Sequence, residues 1–95
     1  MYRILTAFIL FITLPAIALA QESAEARGIK LINEGLVHWN AGRITEAEPL
    51  LLQGVMLAGH NSEVLRIYAA FLHDQERFGL AETVWQRAIE ISPNN

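Results

Sequence analysis

Residues 62–95 read SEVLRIYAAFLHDQERFGLAETVWQRAIEISPNN, and residues 28–61, directly before them, read GIKLINEGLVHWNAGRITEAEPLLLQGVMLAGHN. Laid over one another without a gap, the two stretches place Leu31 on Leu65, Gly35 on Ala69, Ile44 on Phe78, Ala47 on Ala81, Leu51 on Trp85 and Gly54 on Ala88. The break at Gly59 falls on the break at Pro93. Small residues meet small and bulky meet bulky, which is the size pattern that lets neighbouring helices approach closely while larger side chains fill the gaps. The period is 34 residues.

Outward from that alignment, apolar residues recur at helical spacing from Ala26 to the end, interrupted at Asn40-Ala41-Gly42, at Gly59-His60-Asn61 and from Glu76 to Gly79. The spacing predicts an all-α chain with four helices, over about 25–40, 44–58, 62–75 and 79–91. Ile29, Ile32, Leu36 and Trp39 form one stripe on the first helix, and Leu65, Tyr68, Ala69 and Leu72 form another on the third. Thr45 with Glu48 reads as a capping box for the second helix, placing Pro49 early enough to forfeit about one backbone hydrogen bond. Asn61 and Ser62 offer a cap to the third. No alternating run of strand length occurs.

The first twenty residues are of a different kind. Arg3 is followed by an apolar run from Ile4 to Leu14 broken only by Thr6 and Thr13, then by Pro15, and Ala18-Leu19-Ala20 precedes the polar Gln21-Glu22-Ser23. This is the layout of a secretory signal peptide, residues 1–20, with cleavage expected between Ala20 and Gln21 and export to a periplasm or the cell exterior. The alternative is a retained anchor, because the 17 residues of Ile4 to Ala20 approach the length of a spanning helix. Residues 21–27 then form a short lead-in to the two repeated stretches, 28–61 and 62–95.

Composition narrows the function. The formal charge is −3, and removal of residues 1–20 takes away Arg3 alone, leaving six Lys or Arg against ten Asp or Glu, which is −4. Such a chain has no electrostatic basis for gripping nucleic acid. Cysteine is absent, so stability must come from helix packing or association. His38, His60 and His73 lie in separate segments and make no close pair of the kind zinc requires, so no metal or other cofactor is expected. Ser62, Ser92 and Thr45 read as helix-end residues, and Glu46 and Glu48 point apart on a helix, so neither a nucleophile with its base nor an acid–base pair is apparent. The chain reads as a non-enzyme.

A 34-residue unit of two helices and a turn resembles the tetratricopeptide repeat. Leu65, Tyr68-Ala69, Leu72, Phe78, Ala81, Trp85, Ala88 and Pro93 carry the resemblance in the second unit. The first unit departs from the pattern at Glu34, His38 and Gly59. The resemblance implies a protein or peptide partner held in a concave groove lined by the first helix of each pair, here Ile32, Asn33, Leu36, Trp39, Asn40, Arg66, Ala70 and His73. Only Asn33 and Arg66 match the clamp by which some relatives hold a C-terminal carboxylate, which leaves that mode without support. Trp39 has two readings, groove anchor or core beneath residues 22–27, whereas Tyr68 and Trp85 read as core. The alternative function is that of a small structural or accessory subunit of a cell-envelope assembly. In either case the repeat period ends at Pro93-Asn94-Asn95, and the last helix pair is expected to have no following helix to cover it. Leu72, Val84 and Ile91 are therefore expected to lack cover, and self-association or a partner to supply it.

Overall fold

Ser23 opens the first helix, its Oγ accepting a hydrogen bond from the Ala26 N–H at 3.0 Å. From there the computed structural model, which describes residues 22–93, contains four helices and no strand. They are α1 (Ala24–Asn40), α2 (Ile44–Leu57), α3 (Ser62–Asp74) and α4 (Phe78–Ile91). The chain is all-α, and its helices pack as two antiparallel hairpins, α1 on α2 and α3 on α4. The segment read as a signal peptide, its cleavage point before Gln21, and Asn94-Asn95 lie outside the described residues. Among the described residues no helix is long and apolar enough to cross a membrane.

The 34-residue period is present in the backbone. At the end of α1 the Gly42 N–H donates to the Trp39 carbonyl at 2.9 Å and the Arg43 N–H to that of His38 at 2.8 Å. One period later the Glu76 N–H donates to the His73 carbonyl and the Arg77 N–H to that of Leu72, both at 2.9 Å. Both turns pass through a left-handed residue at the same place, Gly42 with φ 78° and Glu76 with φ 62°. Glycine adopts that conformation freely, and glutamate does so at a steric cost. Helices α2 and α4 are in register to the residue, whereas α1 begins four residues earlier in its unit than α3 does.

Packing inside the first hairpin is decided by two glycines. A Cβ placed on Gly54 would stand 2.6 Å from Ile32 Cγ1 and 2.8 Å from the Gly28 carbonyl oxygen, and one on Gly28 would stand 2.8 Å from the Gly54 carbonyl oxygen. The two backbones therefore touch, and Ile32 fills the space a side chain at position 54 would take. The second hairpin uses a polar tie in the corresponding region. Arg66 donates to Ser62 Oγ at 3.4 Å and to the Ser92 carbonyl at 3.0 Å, joining the start of α3 to the end of α4.

Ile32, Ala47, Leu51, Ala58, Val64, Tyr68, Phe71, Leu72 and Ala81 form one core that runs through both hairpins, with Ile29, Leu36, Trp39 and Ile44 packed against it. The stripe anticipated on the first helix faces this core, as do Tyr68 and Leu72 of the stripe on the third, whose Leu65 and Ala69 are also buried. Asn61 caps α3, its Oδ1 accepting from the Val64 N–H at 3.2 Å.

Four expectations need correction. The capping box at Thr45 does not form, because α2 begins at Ile44 and its cap is Arg43, which makes no side-chain capping bond; Thr45 is already inside the helix. Pro49 lies within α2 on an exposed face. Leu72 does not lack cover: it is fully buried, because it belongs to the face of α3 that meets the core. Trp39 packs on α3, with its ring edge-on to Phe71 at a centroid separation of 5.3 Å, rather than beneath residues 22–27. Trp85, read as core from its place in the repeat, is 45% exposed, for a reason that defines the candidate site.

Candidate functional site

The two hairpins meet through α3, which lies across the first unit. Three contacts fix its register. Trp39 stacks edge-on against Phe71 and donates from Nε1 to Asp74 Oδ2 at 3.0 Å. Arg77, just past the end of α3, forms an ion pair with Glu48 on α2. Tyr68, buried, stands close enough to Glu48 and Arg77 to feel both charges. Burial is the main reason its phenol is raised above the ordinary pKa of 10.0; Arg77 opposes that shift and Glu48 adds to it.

One period later, among the described residues, no helix lies over the same surface. A recess of about 570 Å³ opens between the second pair of helices, lined by Ala69, Ala70 and His73 from α3 and by Phe78, Ala81, Glu82 and Trp85 from α4. Subtracting 34 from these positions gives Gly35, Leu36, Trp39, Ile44, Ala47, Glu48 and Leu51, the part of the first unit over which α3 lies. The cover explains the exposures. Leu51 is fully buried and Trp85 is 45% exposed; Ile44 is partly buried and Phe78 is 54% exposed. Leu36, Trp39 and Glu48 are partly buried, whereas Ala70, His73 and Glu82 are exposed. The floor of the recess stays closed, since Ala69 and Ala81 are buried in the second hairpin.

The recess is apolar with polar groups at its edge. His73 and Phe78 meet edge-on at a centroid distance of 4.9 Å and form one wall. Glu82 carries the one carboxylate among the lining residues, and among the described residues no cation pairs with it. A surface of this character suits an apolar helix or peptide more than a charged small molecule. Among the described residues no cluster of three His, Asp or Glu side chains is placed to hold a metal ion.

The residues expected to line a groove do not come together at one surface. Ala70 and His73 line the recess. Asn33 and Asn40 are exposed on α1, while Leu36 and Trp39 are half-buried against the core at the junction with α3. Ile32, 1% exposed, is core and offers a partner no surface. Arg66 is engaged with Ser62 and Ser92. The residues missed were Phe78, Glu82 and Trp85. The alignment of Leu51 with Trp85 held the signal, since equivalent positions differ in burial when α3 lies over one and no described helix lies over the other.

No protein-family model, no curated protein and no solved structure matches the chain.

Proposed function

We propose that the chain is an exported, non-catalytic protein-interaction module of the tetratricopeptide type, and that it binds a protein partner through the end of its second hairpin. The observation that carries this reading is the recess itself: Phe78 and Trp85 are held half-exposed around a floor of small residues, in a chain whose first hairpin partly buries the counterpart Ile44 and fully buries the counterpart Leu51. Aromatic residues kept at a rigid, partly dry surface contribute much contact area at low entropic cost, which is the character of an interface anchor. The rigidity is supplied by the turns and by the α3–α4 packing, neither of which a partner need provide.

Affinity capture from a native envelope extract, with the wild-type chain and an Ala70→Glu variant run in parallel, tests the interaction. A specific protein retained by the first and lost by the second is the expected result; equal retention by both removes the recess from the function. Intact mass of the exported product tests the location, the expected N-terminus being Gln21. A product still carrying residues 1–20 places the module on a membrane anchor instead.

A further inference from the structure

The structure contains its own template for what fits the recess. Relative to the first hairpin, the covering element is α3, and it does so with Val64, Tyr68 and Phe71 facing inward, Asp74 accepting from Trp39, and Arg77 meeting Glu48. The counterparts of Trp39 and Glu48 in the recess are His73 and Glu82, both exposed. We propose that the recess receives one amphipathic α-helix of a partner protein, lying where α3 lies one unit earlier. That helix carries an aromatic residue to stack on His73, a hydrogen-bond acceptor three residues later, and a Lys or Arg a further three residues on to pair with Glu82. This deepens the protein-interaction reading and rests on it.

A second copy of the chain is the competing occupant, and its surface does not fit. Stacked head to tail, the copy would present α1 to the recess, and the positions of α1 that correspond to Val64, Tyr68 and Phe71 are Lys30, Glu34 and Val37. All three are exposed, and Lys30 is paired with Glu22 at 2.9 Å. Docking would bring Arg43, the counterpart of Arg77, to Glu82, but it would also bury Lys30 and Glu34 against apolar residues and set Val37 where an aromatic ring is needed, a desolvation that one ion pair does not repay. Among the described residues, α1 thus presents a polar helix face and α4 borders an apolar recess. Pairing two recesses face to face fails for a different reason: the lining includes no Lys or Arg, so each Glu82 would go without a cation.

The probe is a synthetic peptide of residues 61–77, capped at both ends and labelled with a fluorophore, titrated into protein obtained by expressing the full chain. The peptide lacks tryptophan, so binding is followed both by its anisotropy and by the shift in protein tryptophan emission as Trp85 is covered. Saturable binding is expected. Glu82→Lys in the protein should weaken it about three- to fivefold and strengthen an Arg77→Glu peptide by a similar factor, a reversal that also places the peptide at the recess. Ala70→Glu should weaken both peptides at least about tenfold, with the helical circular dichroism of the protein unchanged. A peptide carrying Ala70→Pro, which cannot keep its helix, should not bind.

Absence of saturable binding to a folded protein, or binding indifferent to Glu82→Lys, overturns the proposal. So does concentration-dependent dimerisation of the wild type that covers Trp85 and is abolished by Ala70→Glu, since the occupant is then a second copy. If the proline peptide binds as well as the parent, or if native capture depends on Ala70 while no helical peptide binds, the helix is refuted and the interaction reading stands. If capture is also indifferent to Ala70→Glu, both fall.

Discussion

Leu51 and Trp85 occupy the same place in successive units, and replacing each by alanine separates what the repeat pattern implies from what the tertiary structure decides. Leu51 is fully buried, and a Cβ on Gly35 would lie only 2.7 Å from its Cδ2, so the side chain rests directly on the backbone of α1. Truncation leaves a cavity that main chain cannot move in to fill. Leu51→Ala should therefore cost about 3–4 kcal/mol, within the range for buried leucines that leave a cavity behind. A folded unit the size of residues 22–93 has about 4–11 kcal/mol in total at ordinary per-residue stability, so the variant loses a large part of its margin. Trp85 is 45% exposed and keeps just over half of its surface from water. For a side chain of about 200 Å² that is about 110 Å², or somewhat under 3 kcal/mol at ~25 cal/mol per Å². Alanine retains part of that contact, and the space left opens to solvent rather than forming a void. Trp85→Ala should cost about 1.5–2 kcal/mol, roughly half the loss at Leu51. Urea unfolding of both variants, followed by far-ultraviolet circular dichroism and compared at equal slope, measures the difference. Equal losses, or a larger loss at Trp85, would refute the claim that the last unit is uncovered. A small loss at Trp85 combined with a large loss of partner binding is the signature of an interface residue.

Three further outcomes follow from the packing and the turns. Gly54→Ala gains about 1 kcal/mol of helix propensity, but its methyl meets the immobile Gly28 carbonyl oxygen at 2.8 Å, so a net destabilisation of about 1–2 kcal/mol is expected in urea titration. Glu76→Gly relieves a left-handed glutamate and should raise stability by about 0.5–1 kcal/mol, whereas Gly42→Ala, at the matching turn, should lower it by about 1 kcal/mol. A thermal melt of each variant distinguishes these from no effect. The raised pKa of Tyr68 gives an alkaline limb: the folded chain holds the phenolic proton to higher pH than the unfolded chain, so this contribution is intact below about pH 10 and is lost as pH rises from there through the folded value. Stability measured across that window should fall more steeply for the wild type than for Tyr68→Phe, and identical slopes would mean that Tyr68 is not the group responsible.

The sequence by itself determined the number and extent of the helices, the 34-residue register and the buried stripe of α3, because each depends on spacing that the chain carries locally. The helix limits expected near residues 40, 44, 62 and 91 agree with those observed because Gly42, Asn61 and Pro93 act over one turn of backbone. The start of α2 shows where local signals run out. Thr45 and Glu48 have the right spacing for a capping box, yet the helix continues back to Ile44, whose side chain packs against the core. Equivalence between Leu51 and Trp85 was also legible, but equivalence in a repeat is not equal burial. How much of a side chain is covered depends on the next element, and only the tertiary structure shows that α3 covers the first unit while, among the described residues, no helix covers the corresponding face of the second. The same reason separates Trp39 from His73. Trp39 acquired a stacking partner and an acceptor from residues more than thirty positions away in the chain, contacts that no local spacing encodes, while His73, in the same position of the second unit, meets Phe78 of its own hairpin and, among the described residues, no counterpart of Phe71 or Asp74 from a further helix.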